Sequence, residues 1–470
     1  MKRASTRRPS RLAAIGLAMF VLAGCAGPAV EQTFADARQL AREHLGSELK
    51  WLDSDEARRQ AQDDVDTLLG RPLDGDAAVR IGLAYSPSLQ ALLYESAAGS
   101  AATAQSARLP NPVFAFERLA RNEAGVRELE LTRTLSFSVL DLLLLPARLR
   151  LADHQQQMNR LLLAAGVVQA ATDARRAWVA AVAAQQSLQY AQQVKATADA
   201  SAELARRMQA VGNFSKLQRA REQAFAAEAV TQLARADQAA RSAREGLVRA
   251  LGLDPRQAAA LKLPDRLPEL PAQPRDEASV ARVAMDQRLD VRLAQARLDF
   301  LAREQGLTQV TGFVNGVEAG LKRKSETGLA PKRGYELSVP LPIFDFGDAS
   351  RTRAQASTMA AQQRAAQTAV DAASQLREAY GAYRTRYDIA RHYRDEIVPL
   401  RKAIAEENVL RYNGMLIGVF ELLADSREQI ASVIQAIDAQ RDFWLADAAL
   451  QATLIGKPAA PSIDNPPAAP

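Results

Sequence analysis

Cysteine is almost missing from this chain: its 470 residues contain one, Cys25. No disulfide can therefore staple the fold, and a catalytic thiol loses support. Histidine is nearly as scarce, with His44, His154 and His392 far apart. No metal-ligand cluster and no nucleophile with a partnered base can be picked out, so the sequence points away from an enzyme and names no metal site. The methionines stand singly and mark no copper or silver path. Proline is absent between Pro146 and Pro255, which leaves room for very long helices. Trp178, Val182 and Val168 in that stretch read as helix packing at 3/4 spacing rather than as a ligand stripe.

No long apolar run is present either. Leu12 to Ala23 is apolar but too short to cross a bilayer as a stable helix. It follows Lys2, Arg3, Arg7, Arg8 and Arg11, the layout of an export signal. The run ends in "LAGC", Leu22 to Cys25, which resembles the lipobox of bacterial lipoproteins. That likeness implies cleavage before Cys25 and a covalent lipid on its sulfur. Ala26 in place of aspartate implies an outer-membrane destination. The formal charge of +6 is then mostly signal: without those five basic residues the balance is 55 against 54, a net of +1. A nucleic-acid partner loses its main support.

What is present is a duplication. Shifting the chain by 206 residues lays Arg127, Glu130, Leu131 and Leu135 on Arg333, Glu336, Leu337 and Leu341. The same shift lays Gly212, Phe214, Leu217 and "REQ" 221 to 223 on Gly418, Phe420, Leu423 and "REQ" 427 to 429. Two distant blocks agree on one offset, so one tandem repeat is expected. Each half carries a helix, a strand pair, a long helix and a return helix.

In the first half the expected parts are a helix over 74–107, strands over 113–120 and 128–139, a long helix over 147–211 and a return helix over 215–251. The long helix has 65 residues, ~98 Å of rise, longer than any compact domain. In the second half the parts are a helix over 275–304, strands over 313–323 and 335–343, a long helix over 348–413 kinked at Pro399, and a return helix over 419–455. Two shorter helices beside each long one make a four-rod bundle. Leu253 to Arg275, rich in proline, is expected as a non-helical strap. The division is 1–24 signal peptide, 25–72 lipidated N-terminal segment, 73–252 first repeat, 253–274 connector, 275–456 second repeat and 457–470 flexible tail.

The strands need explanation in so helical a chain. "ELELTRTLSFSV", 128–139, sets Leu129, Leu131, Leu135, Phe137 and Val139 against Glu128, Glu130, Thr132, Thr134, Ser136 and Ser138. Tyr335, Leu337, Val339, Leu341 and Ile343 share a face in the second half. Each run approaches the ~9 to 11 residues of a tilted membrane strand. Four such strands cannot close a barrel, and their edges would go unsatisfied in lipid, so the pattern demands oligomerisation. A small soluble sheet capping the helices is the alternative.

Several segments then resemble the outer membrane efflux proteins of the TolC type, in their lipoprotein branch with its heavy-metal cation and drug ducts. They are "PLDGDAAVRIGLAYSPSL" (72–89) with its counterpart "ARVAMDQRLDVRLAQARL" (281–298), "LPNP" (109–112), "AVGNFSKLQRAREQA" (210–224), "LSVPLPIFDFGDASRTRA" (337–354) and "RYNGMLIGVFELLADSREQ" (411–429). The resemblance implies a fold that is mainly α with a small β part. It implies a homotrimer sharing a 12-stranded β-barrel and an α-helical periplasmic tunnel, in contact with outer membrane lipid. A periplasmic adaptor, or membrane fusion, protein and an inner-membrane pump of the RND or a similar class would feed it. One departure stands out: Asp141 occupies the place of Gly347, so the first strand-to-helix entry is expected to be shaped differently.

The expected function is conduction without chemistry. The tips Gly212, Asn213, Phe214, Gly414, Gly418 and Phe420 would meet the adaptor. Glu421 and Asp425, four apart on one helical face, would form acidic rings and a periplasmic gate; solvated surface acids are the alternative. Three rivals stay open: a non-conducting periplasmic scaffold or adaptor lipoprotein, a type I secretion duct of the same family, and an envelope enzyme.

Overall fold

The computed structural model describes residues 26–123, 126–277, 288–313 and 316–456. The expected signal peptide over 1–24, Cys25, the expected tail over 457–470, and residues 124–125, 278–287 and 314–315 lie outside the described residues. The chain divides into two compact units that cut across both repeats.

One unit takes residues up to 36, 94–163 and 292–368, and the sheet lies in it. Strand β1 (Val113–Glu123) pairs antiparallel with β2 (Val126–Ser138), β2 with β3 (Glu318–Glu326), and β3 with β4 (Lys332–Ser338). The order β1-β2-β3-β4 leaves β1 and β4 at the two edges. The fourth strand is shorter than the expected 335–343. Pro340 and Pro342 lack the N–H a ladder needs, so pairing stops at Ser338. The third begins at Glu318 rather than 313, because helix runs on to Thr311 ahead of it.

The other unit takes 37–93, 164–291 and 369 onward and holds the cores. Ahead of the first repeat, the segment expected only as a lipidated leader forms helices α1 (Ala26–Leu45) and α2 (Asp55–Leu69), the latter capped by Ser54. The helix expected over 74–107 is two, α3 (Gly75–Tyr85) and α4 (Pro87–Ser106). The proline ring pushes the preceding residue out of the helical region, and Ser86 has ψ 122.

Helix α5 (Val139–Ala210) runs 72 residues and starts eight residues ahead of the expected position, with Pro146 inside it. Helix α6 (Lys216–Leu251) begins at the Ser215 cap, where Ser215 and Gln218 satisfy each other's backbone N–H groups, and stops at left-handed Gly252. The strap is not wholly irregular: Asp254 caps a short helix α7 (Pro255–Ala260), with Pro255 in the first position, where no N–H is needed.

Helix α8 (Leu289–Thr311) leads to the second strand pair. The second long rod is α9 (Asp348–His392), a π turn over Tyr393–Ile397, and α10 (Val398–Asn413). Pro399 cannot donate to the residue four back. The five-residue π turn re-phases the ladder there, with Val398 N–H bonded to Tyr393 O. Return helix α11 (Val419–Ile455) has the expected bounds.

Two hydrophobic clusters hold this unit. In one, Trp178 packs with Leu73, Ile81, Val182, Leu247 and Leu251, and its indole donates to Leu73 O at 2.7 Å. In the other, Tyr383 and Tyr387 lie against Phe443, ring centres 5.5 and 5.7 Å away. Tyr387 also donates to Pro271 O and Ala272 O at 3.0 and 3.1 Å, which ties the proline-rich strap to the bundle. Val168, Trp178 and Val182 are all buried, as packing residues should be.

Candidate functional site

The sheet's register sorts its side chains into rows, because directly paired residues share a face. One row crosses all four strands as Phe114, Leu135, Leu321 and Tyr335. The next is Phe137, Ala319 and Leu337. Its large apolar members are exposed, Tyr335 at 87%. Further along the same face comes Phe116, Arg133, Arg323 and Arg333, so the apolar band ends in a basic row.

The opposite face is polar: Thr134 stands beside Lys322, and Thr132 beside Lys324. Lys324 Nζ bridges Glu130 and Glu326 at 2.8 and 2.9 Å, and Lys322 lies 3.6 Å from Glu336. Two-sidedness of this kind suits a wall with lipid on one side and water on the other. Four strands with two open edges are too few to close. Among the described residues no helix is long and apolar enough to cross a membrane.

The two helical turns differ from each other. After α5, Gly212 takes φ +82 with open space around it, and the chain re-enters a helix at Ser215. After α10, Gly414 keeps φ −80 and Met415 takes the left-handed φ of 59 instead. Gly418 is the N-cap of α11 in extended conformation. Asn213 is exposed at the first turn.

Phe214 differs from its neighbours in the turn: at 6% exposure it is buried in the single chain. The apolar residues the turns do expose are Val211, Leu217, Met415 and Leu416. The side chain of Phe420 lies outside the described residues.

Glu421 and Asp425 stand one turn apart near the N-terminus of α11, where the helix dipole favours anions. The two acids are not equivalent. Glu421 is exposed, whereas Asp425 is half-buried and accepts a hydrogen bond from the side-chain amide of Asn408 on α10.

Sequence reasoning missed the ion pair beside them. Glu222 on α6 is 2% exposed. It accepts from Arg427 on α11 at 2.7 Å and from the Ser201 hydroxyl on α5 at 2.6 Å. The Arg427 guanidinium also lies 4.5 Å over the Phe225 ring. These groups line a pocket of 230 Å³ with Leu204 and Leu423. The signal was present in the repeated "REQ", but repetition alone does not say which copy is buried.

Among the described residues, no group of three or more His, Cys, Asp or Glu could hold a metal. No protein-family model matches the sequence. No curated protein matches it. Solved structures do. The outer-membrane channel OprN superposes with a TM-score of 0.68 at 19% identity, over 84% of this chain and 92% of that one. The Campylobacter jejuni outer membrane channel CmeC gives 0.69 at 13%, over 85% and 87%. The open state of the Neisseria gonorrhoeae outer membrane channel MtrE gives 0.64 at 18%, over 81% and 88%.

Proposed function

We infer that this chain, whose fold is that of the TolC-like outer-membrane efflux channels, is itself an exit duct that conducts small substrates from the periplasm to the exterior. The observation that carries the inference is the exposed apolar band across all four strands, backed by a charged face and flanked by unpaired edges. A sheet built that way finds its partners by joining copies of itself, and three copies would supply twelve strands, a closable barrel. The basic row at the band's end would sit where hydrocarbon gives way to headgroups. A lipid on Cys25 would add an anchor to the same membrane.

The helices would form the periplasmic tunnel of that trimer. Their turns, with Gly212, Asn213, Gly414 and Gly418 shaping the backbone and Met415 and Leu416 exposed, would receive a periplasmic adaptor, behind which an inner-membrane pump of the RND or a similar class would select the cargo. Metal cations or drugs both fit such a route. Glu421, repeated around the axis with Asp425 behind it, would face cations entering the mouth. No step of bond making is required of the protein, in keeping with a channel rather than an enzyme.

Planar-bilayer recording of the purified mature protein tests this. Discrete conductance steps support the duct, and a folded, lipid-inserted protein that passes no current would leave a non-conducting scaffold instead. In the same assay, Glu421→Gln with Asp425→Asn should raise leak conductance or change cation preference; unchanged current and selectivity would remove the gate assignment.

A further inference from the structure

The duplication supplies a contact that one chain makes only once. In the contact observed, Leu423 and Arg427 of α11 line the pocket formed with Ser201 and Leu204 of α5 and Glu222 and Phe225 of α6. Subtracting 206 from the α11 residues gives Leu217 and Arg221 on α6. Adding 206 to the receiving residues gives Glu407 and Leu410 on α10, and Glu428 and Ala431 on α11. The knob of the image keeps its leucine and its arginine. The socket keeps its leucine and its glutamate, and a second acid, Glu407, replaces Ser201.

Both halves of the image face solvent in the single chain. Leu217 is 62% exposed and Leu410 66%. Arg221, Glu407, Glu428 and Ala431 are exposed as well. The socket acids make only surface pairs, Glu407 with Arg411 at 3.0 Å and Glu428 with Arg401 at 3.1 Å. The observed version buries its glutamate. An exposed leucine beside an arginine on one surface, and an exposed leucine beside two acids on another, are complementary in charge.

We propose that the Leu217–Arg221 face of α6 in one copy seats against Leu410, Glu407 and Glu428 of the next copy, repeating between chains the contact that Arg427 and Glu222 make within one. The surfaces are different patches, so the contact is head-to-tail, the kind that makes a ring when three copies close on themselves. Alternating intrachain and interchain contacts would line that ring with six glutamate–arginine pairs in a trimer. The proposal rests on the reading of the chain as a closed oligomer.

The test uses the full-length lipoprotein purified without any adaptor. Leu217→Cys with Leu410→Cys, treated with a short thiol crosslinker, should give covalent dimers and trimers on denaturing gels. The image pair Leu204→Cys with Leu423→Cys should crosslink only within one chain. Separately, Arg221→Glu should lower the fraction of oligomer surviving mild detergent challenge, and adding Glu428→Arg should restore it. A trimer by native mass that neither crosslinks through 217 and 410 nor responds to the charge swap overturns this interface and leaves the duct standing. A protein monomeric in detergent and in lipid overturns both.

Discussion

The two halves of the chain enter their long helices by different routes. In the first, strand β2 ends at Ser138 and α5 begins at the next residue. Ser138 Oγ accepts from Asp141 N–H at 3.2 Å, and Asp141 pairs with Arg148 two turns on. In the second, residues 339–347 intervene between β4 and α9. That loop closes on Gly347 at φ +73, where a Cβ would lie 2.2 Å from Gly312 O. Asp345 Oδ1 holds the Gly347 N–H at 2.8 Å, and the Ser350 hydroxyl donates to Gly347 O at 2.9 Å. The two halves share the apolar face and the order of parts, but their hairpins pair in different registers and each strand-to-helix junction has its own solution.

The same asymmetry governs the sharpest test. Glu222 and Glu428 are repeat counterparts, one buried against Arg427 and the other exposed. Glu222→Ala should cost about 1.5–3 kcal/mol, since it removes a buried carboxylate that both Ser201 and the partly exposed Arg427 hydrogen-bond. Glu428→Ala should cost about 0–1 kcal/mol in the isolated subunit. Equal losses in chemical denaturation would break the comparison.

The junctions come next. Gly347→Ala combines a left-handed backbone with a clash against fixed backbone, so a loss of roughly 2–5 kcal/mol is expected. Asp141→Gly should lose about 1 kcal/mol, the helical cost of glycine. The turns follow. Gly212→Ala should cost about 1–2 kcal/mol for its positive φ despite the open space. Gly418→Ala, at φ −82, should cost about 1 kcal/mol or less, a lost N-cap preference only. Thermal melts of the paired variants would rank them; Gly418→Ala matching Gly347→Ala would overturn the reading.

The smallest effect is one of pH. Burial raises the carboxyl of Asp447 above its ordinary range of 3.8, against the opposing pull of Arg275, Arg175 and Gln451. The folded state then holds that proton more tightly than the unfolded chain does. Its contribution to stability falls as pH rises from the unfolded value through the folded one. Asp447→Asn should therefore lose less stability than the parent over that window. A parent whose stability rises relative to the variant across it would contradict the burial argument.

Much of this architecture was legible because it rests on local rules. The start of α6 at Ser215, the bounds of α11, the alternation in β2 and the break at Pro399 are all written within a few residues of where they act. The misses share another cause. Pro146 reads as a helix start, yet α5 already has a full turn ahead of it, and the strap's prolines hid the Asp254 cap of α7. Glu222 is a surface residue by pattern, and only the approach of α5 and α11 buries it. The gate pair was legible as spacing, but the engagement of Asp425 by Asn408 belongs to a contact 17 residues away.

Native mass measurement of the purified mature protein in detergent bears most directly on the claim that open four-stranded sheets close by joining. The account predicts a single species of three subunits. A stable monomer, with β1 and β4 still exchanging their edge amides freely with water, would contradict it.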